Sequence, residues 1–364
     1  MSAVTEGARK TDDRIVTKER ILGTAGRWRR FGEPTPAGGS RNEDGSVDYG
    51  VFGPGSVAWE LMLHPVMMYF ETLAQGMLQL TYKPISAGIR DRDPISRKAQ
   101  AGTLTFFDIF DRAQRNSGIH APMWFGDTAT AKRIAKHLVQ IHQKVAGDVI
   151  DVGEPELGGY QASSGRDAMW AALTEMHSIL WLYETFAWRG GKPPRRLPPA
   201  VRDRFMAETV AYCELFGPYE DELPRTMAEL DALYVKYDAL WGHSDTMDTI
   251  PETGQSFQQT VLATAKKNFH ISQLRVLKQI IKMQLWNIPV MAAMSGKARA
   301  NLGAGPRKIK LAFTAKRVLM PVFWLMQRRP FERRHMRLLW GPDGVELIES
   351  ARKLHAQARK DLTW

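Results

Sequence analysis

The sequence predicts an all-α fold, one large bundle-like helical domain with an irregular N-terminal arm, and three observations carry that expectation. Apolar residues recur at helical spacing from Val51 onward, and no stretch shows the strict alternation of a half-buried strand. Breakers such as "RGGKPPRRLPP", "GPYEDELP" and "GAGPRK" punctuate the periodic runs. No unit repeats at 30–45 residue spacing, which argues against a solenoid.

Taken in order, residues 1–48 are polar and rich in Gly and Pro, ending in "GEPTPAGGSRNEDGS", and read as a flexible or extended arm. Helices are expected over 56–80, 96–116, 128–146, 167–188, 199–216, 225–240 and 257–284, with shorter ones after that and a last one over 345–355. The helical core is assigned to 49–296, and 297–364 to a basic helical part packed on it. A length of 364 residues, 44% apolar and 24% charged, describes an ordinary globular chain with material for a substantial core.

The most informative helix is "GDTATAKRIAKHLVQIHQKVAGD". Ile134, Leu138, Ile141 and Val145 form an apolar stripe, and Lys132, Arg133, Lys136, Gln140, Gln143 and Lys144 form the solvated face. His137 and His142 lie about 140° apart around the axis, so they cannot grip one ion as an i, i+4 pair does. His142 falls on the core side beside Leu138 and Val145, with Ala131, Ala135 and Ala146 as small neighbours. His137 falls beside Arg133 and Lys144. Asp127, Thr128 or Thr130 can cap the start, and Gly147 can supply a left-handed stop. An inward histidine at such a position is either a hydrogen-bonded core residue or a ligand, and spacing leaves both open.

The lone Cys213 allows no intramolecular disulfide and suits a reducing compartment. No GxGxxG after a strand, P-loop, GxSxG elbow or CxxC pair is present. "MSAVTEGARKTDDRIVTKER" has no apolar core for a signal peptide, so a cytoplasmic location is expected. The longest apolar runs, "SVAWELMLHPVMMYFETLAQGMLQL" and "MWAALTEMHSILWLYETFAW", contain Glu60, His64 and Glu71, or Glu175, His177 and Glu184. They read as buried helices, because a spanning helix wants about twenty uninterrupted apolar residues.

The net charge of +11 is concentrated in one segment. Residues 297–337 hold twelve Lys and Arg against the single acid Glu332, interleaved with "LAFTAKRVLMPVFWLM". That mixture suits an anionic membrane surface met peripherally. Nucleic acid is disfavoured, since no recognised binding motif accompanies the charge. The alternative is a solvated face over a buried stripe.

Across 52–237 the sequence resembles the haem-dependent oxygenases typified by latex-clearing protein (rubber oxygenase) and the MpaB-type oxygenases. The likeness rests on "FGPGSVAWELMLHP", "QLTYKPISAGIRDRDP", "WFGDTATAKRIAKHLVQIHQKVAG", "YQASSGRDAMWAALTEMHSILWLYETF" and "FMAETVAYCELFG" followed by "ELP". The resemblance implies a pocket for haem b, with His142 as the axial ligand of the iron and Leu138 and Val145 beside it. In the rubber oxygenases an Arg-x-x-Lys-Thr cluster lies on the distal side. Counting back from Phe125-Gly126 places Arg112, Arg115 and Asn116 there, whereas counting forward from Asp93-Pro94 places Arg97. The absence of Lys-Thr removes a neutral amine that might ligate iron and leaves only arginine charge.

His177 shares a helical face with Trp170, Leu173, Thr174 and Trp181 and is the second histidine set against cofactor or substrate, the competing reading being core. Tyr160 and Asp167 match the family's segment in part and suit structural roles. His64, His120, His243, His270, His335 and His355 carry no comparable signal. The expected function is a haem b oxygenase using molecular oxygen to oxidise or cleave a hydrophobic isoprenoid or lipid-like alkene. The alternatives are a non-catalytic haem- or lipid-binding protein, and a basic nucleic-acid-binding protein without haem.

Overall fold

The structure is a computed structural model, and it describes residues 32–148, 158–243, 248–250 and 252–359. Residues 1–31 of the expected arm lie outside the described residues. The all-α expectation holds. Among the described residues fourteen α-helices dominate: α1 Val57–Met62, α2 Pro65–Gln79, α3 Lys83–Arg92, α4 Pro94–Gln100, α5 Phe106–Phe125, α6 Thr128–His142, α7 Gly165–Phe186, α8 Pro199–Glu214, α9 Met227–Lys236, α10 Phe257–Lys267, α11 Leu274–Val290, α12 Gly296–Asn301, α13 Pro306–Met326 and α14 Arg329–Ala358. Two short antiparallel ladders join them, β1 Ser40–Arg41 with β2 Val47–Asp48, and β3 Ala146–Gly147 with β4 Tyr160–Gln161.

Several helices expected as one are two, each time for a local reason. The run 56–80 breaks at His64, whose side chain accepts from the Val66 backbone N–H while Pro65 opens α2. The segment expected over 96–116 divides at Gly102, where φ is +70°. Thr105 then opens α5 with a reciprocal capping box to Asp108, and the helix runs on to Phe125. Helix α3, which periodicity did not reveal, ends at Asp93 because Pro94 follows. The run 257–284 breaks at Asn268, whose amide donates to the carbonyls of Gly102 and Leu104. The final helix begins much earlier than expected and is kinked at Gly341 (φ +73°).

Helix α6 ends at His142, four residues short of the expected end, and Gly147 serves a different purpose from a left-handed stop. It sits in β3 opposite Tyr160, where a Cβ would lie 2.6 Å from the tyrosine Oη. Only glycine lets the two strands approach. Ile141 also departs from the expected stripe: it is 47% exposed, because the last turn of α6 projects past the core.

The core forms where α2 packs along α7, with α5 and α14 closing one side. Helix α7 is buried on nearly all faces, including Met169, Trp170, Leu173, Met176, Ile179, Leu180 and Phe186. Each such side chain contributes about 1.5–3 kcal/mol by leaving water. A smaller apolar cluster joins Leu104, Phe106 and Phe110 to Ala265 and Val276. The C-terminal helices are tied to the core: the Trp340 indole donates to the Ser117 carbonyl at 2.6 Å, and His355 Nε2 lies 3.1 Å from Glu60 Oε2.

Candidate functional site

Helix α5 is the spine of the site. Its capping box fixes the phase, so Arg112, Asn116, His120 and Trp124 form one i, i+4 row along a single flank. The row runs from a half-buried end to the centre of the bundle, about 18 Å at 1.5 Å per residue.

At the outer end, Arg112 Nε pairs with Asp93 Oδ2 at 2.8 Å. His142, the last residue of α6, is half-buried, and among the described residues neither ring nitrogen has a hydrogen-bond partner. Burial, and then the positive field of Arg112, hold its pKa below the ordinary histidine value. The imidazole is therefore neutral near pH 7, the form that can ligate a metal. Asp127 caps α6 through Thr130 N–H, and Ser40 Oγ donates to Asp127 Oδ2 at 2.8 Å, so the β1–β2 hairpin anchors the helix that presents His142. Leu138 and Val145 are half-buried beside it, and Val145 packs against Gly88 of α3.

The other expected residues are dispersed. Arg115 pairs with Asp111 at 2.5 Å on the same helix, and Asn116 Nδ2 donates to Gln75 Oε1 at 3.3 Å. Arg97 is exposed, with its guanidinium on the Arg92 carbonyl at 2.9 Å. His177 is buried, with Nδ1 3.1 Å from the Tyr234 hydroxyl and its ring 4.1 Å from that of Trp181. Burial, and secondarily Arg202, lower its pKa to about 3. Tyr160 donates to Asp91 at 2.9 Å, while Asp167 accepts from Tyr82 at 2.8 Å and from Arg166 at 2.9 Å. These bonds pin the β3–β4 hairpin, and with it the segment that follows His142.

At the inner end lies a constellation that sequence reasoning missed. Glu71 from α2, His120 from α5 and Glu175 from α7 meet in the core. Glu71 Oε2 lies 2.9 Å from His120 Nδ1, and Glu175 Oε2 lies 3.9 Å from His120 Nε2. Trp124 Nε1 donates to Glu175 Oε1 at 2.9 Å, and the Tyr212 hydroxyl is 2.9 Å from both Glu175 oxygens. Thr72 donates to Glu71 at 3.1 Å. Burial alone would lower the His120 pKa, but Glu71 and then Glu175 reverse that and raise it. Burial raises the Glu175 pKa, opposed by His120 and reinforced by Glu71. The signal was present in the sequence: an acid inside an apolar helix must have a partner. Nothing local named that partner, since His120 stands in "GIHAPMWF" without a motif.

A family model described as "ER-bound oxygenase mpaB/B'/Rubber oxygenase, catalytic domain" matches residues 59–344, and the chain belongs to that family. No curated protein and no solved structure matches it. The family match extends beyond the sequence resemblance, taking in α10 to α13 and part of α14.

Proposed function

We propose that this chain is a haem b oxygenase that holds the iron through His142 and acts with molecular oxygen on an apolar alkene. The observation that carries the reading is the state of His142: neutral, half-buried, and without a protein partner at either ring nitrogen among the described residues. Such an imidazole is available to a metal ion. A neutral imidazole flanked by the half-buried Leu138 and Val145 is the kind of donor and apolar edge that a haem takes. Bound haem would supply the redox chemistry on dioxygen.

The chain's own side chains have separate tasks in this reading. Arg112, paired with Asp93, adds a positive field that, second to burial, lowers the pKa of His142. Leu138 and Val145 offer apolar contact beside it. Asn116, held by Gln75, puts a polar amide one turn further along α5. The family's Lys-Thr pair is absent, so arginine charge and this amide are the polar groups available to orient a bound oxidant. The visible spectrum of the purified protein with haem quantified as the pyridine haemochromogen, for wild type beside His142→Ala, tests the reading. Near-stoichiometric haem that is lost or strongly altered in the variant is expected. A wild type that stays colourless after reconstitution with haemin overturns it. Oxygen uptake with isoprenoid and unsaturated-lipid alkenes then separates an oxygenase from a haem carrier.

The same reading draws the substrate from an anionic membrane. Thirteen of the eighteen exposed large apolar side chains among the described residues lie between Leu262 and Phe331. On α13, Leu311, Phe313, Val318 and Trp324 are exposed beside Lys310 and Arg317. Next to them an open apolar groove of about 610 Å³ is lined by Phe106, Leu262, Phe269, Leu277, Ile281 and Leu285. No helix among the described residues is long and apolar enough to cross a membrane. Co-sedimentation with phosphatidylserine vesicles at low salt is expected, falling in Lys310→Glu/Arg317→Glu. Absence of binding would remove this part of the reading without touching the haem assignment.

A further inference from the structure

The convergence of Glu71, His120 and Glu175 joins three helices that are far apart in the chain. One ligand atom from each lies within 4.8 Å of the others. The residues are 3%, 2% and 5% exposed, so water does not screen them. No Lys or Arg among the described residues pairs with either carboxylate; the imidazole is the cationic group at hand. Two carboxylates that share a dry interior repel strongly unless a cation lies between them.

The satisfied atoms are arranged around the cluster. Trp124 and Tyr212 donate to Glu175, Gln75 approaches it at 3.5 Å, and Thr72 donates to Glu71. The Trp124 ring, 5.0 Å from His120 and inclined by only 11°, fixes the imidazole plane. Such partners orient ligands in metal centres. Two atoms of the cluster stay unsatisfied: Glu71 Oε1 and His120 Nδ1 are buried and make no well-directed hydrogen bond. Nδ1 is 2.9 Å from Glu71 Oε2 without making a hydrogen bond to it.

We propose that Glu71, His120 and Glu175 form a second metal site, distinct from His142, for a divalent first-row transition ion. Two carboxylate oxygens with one imidazole nitrogen suit Mn²⁺, Fe²⁺, Co²⁺ or Zn²⁺. Ca²⁺ wants six to eight oxygens, and Mg²⁺ keeps its waters. Side chains from facing helices of a bundle are a general way to build such a site. The ion takes the place of the imidazolium proton as the positive charge between the two carboxylates and clamps α2, α5 and α7 together.

Co²⁺ is the probe, because it is counted separately from haem iron. Full-length protein stripped with a chelator is dialysed against Co²⁺, and bound cobalt, visible d–d absorption and melting temperature are recorded. Wild type and His142→Ala are expected to bind one Co²⁺ per chain and to melt higher with it. Glu71→Gln and Glu175→Gln are expected to bind at least tenfold more weakly and to show no rise in melting temperature. Wild type that retains no Co²⁺ overturns the proposal, whatever the variants do. Equal retention by wild type and both Gln variants, each folded by circular dichroism, assigns the cobalt to other histidines and also overturns it.

Discussion

Trp124 donates its indole N–H to Glu175 Oε1 at 2.9 Å in a part of the bundle that water does not reach. The same ring lies almost parallel to His120, so one residue positions two members of the buried cluster. Trp124→Phe keeps most of the packing and leaves Glu175 short of a donor. Loss of a partner to a buried charged group costs about 1–3 kcal/mol. Denaturant unfolding of the variant is expected to show a loss in that range, and an unchanged midpoint would mean that Glu175 does not depend on this bond.

Arg112 contributes to the depressed pKa of His142, second to burial. Arg112→Leu removes that field, so the His142 pKa rises toward its ordinary value while remaining below it. Titration of the imidazole by NMR in haem-free protein reads the shift directly. No movement, or a downward one, contradicts the arrangement.

Three histidines are held neutral by burial: His177 with a pKa of about 3, and His64 and His335 of about 4. Below pH 6.5 the unfolded chain binds protons at these positions that the native state refuses, so stability falls as pH drops from about 6.5 through 4. Each histidine contributes a slope of about 1.4 kcal/mol per pH unit in that window. Denaturant unfolding across pH 4–6.5 should show a slope shallower by about that amount in His177→Gln than in wild type. Parallel curves would contradict the assignment.

Gly147→Ala tests the hairpin that follows His142. The added Cβ would meet Tyr160 Oη at 2.6 Å and push the tyrosine from Asp91. Overpacking of this kind costs about 1–3 kcal/mol. A matching fall in stability is expected, together with weaker haem retention under the proposed function, and a neutral substitution would show that the strands tolerate separation.

Helical periodicity made the architecture legible because it is a local property. The amphipathic pattern of α6, its Asp127 cap and the inward flank of Ala131 and Ala135 all follow from residues within a few turns of one another. The same locality explains the errors. Pattern alone joined segments across His64, Gly102 and Asn268, where a cap, a positive φ and a long-range amide bond stop the helices. The Ile141 side chain fits the stripe by spacing, yet it is 47% exposed.

The sequence by itself determined the helical class, the concentration of positive charge in 297–337, and a family likeness that singled out His142. Tertiary structure decided which faces meet. It brought His142 into the field of Arg112, divided Arg97 and Arg115 onto other partners, and drew Glu71, His120 and Glu175 to one buried point. The physical reason is range: backbone periodicity fixes the direction of a side chain around its own helix, whereas its partner depends on how distant helices share apolar surface. The acids inside α2 and α7 announced a need for a partner, and only the packing of α5 against that pair supplied it.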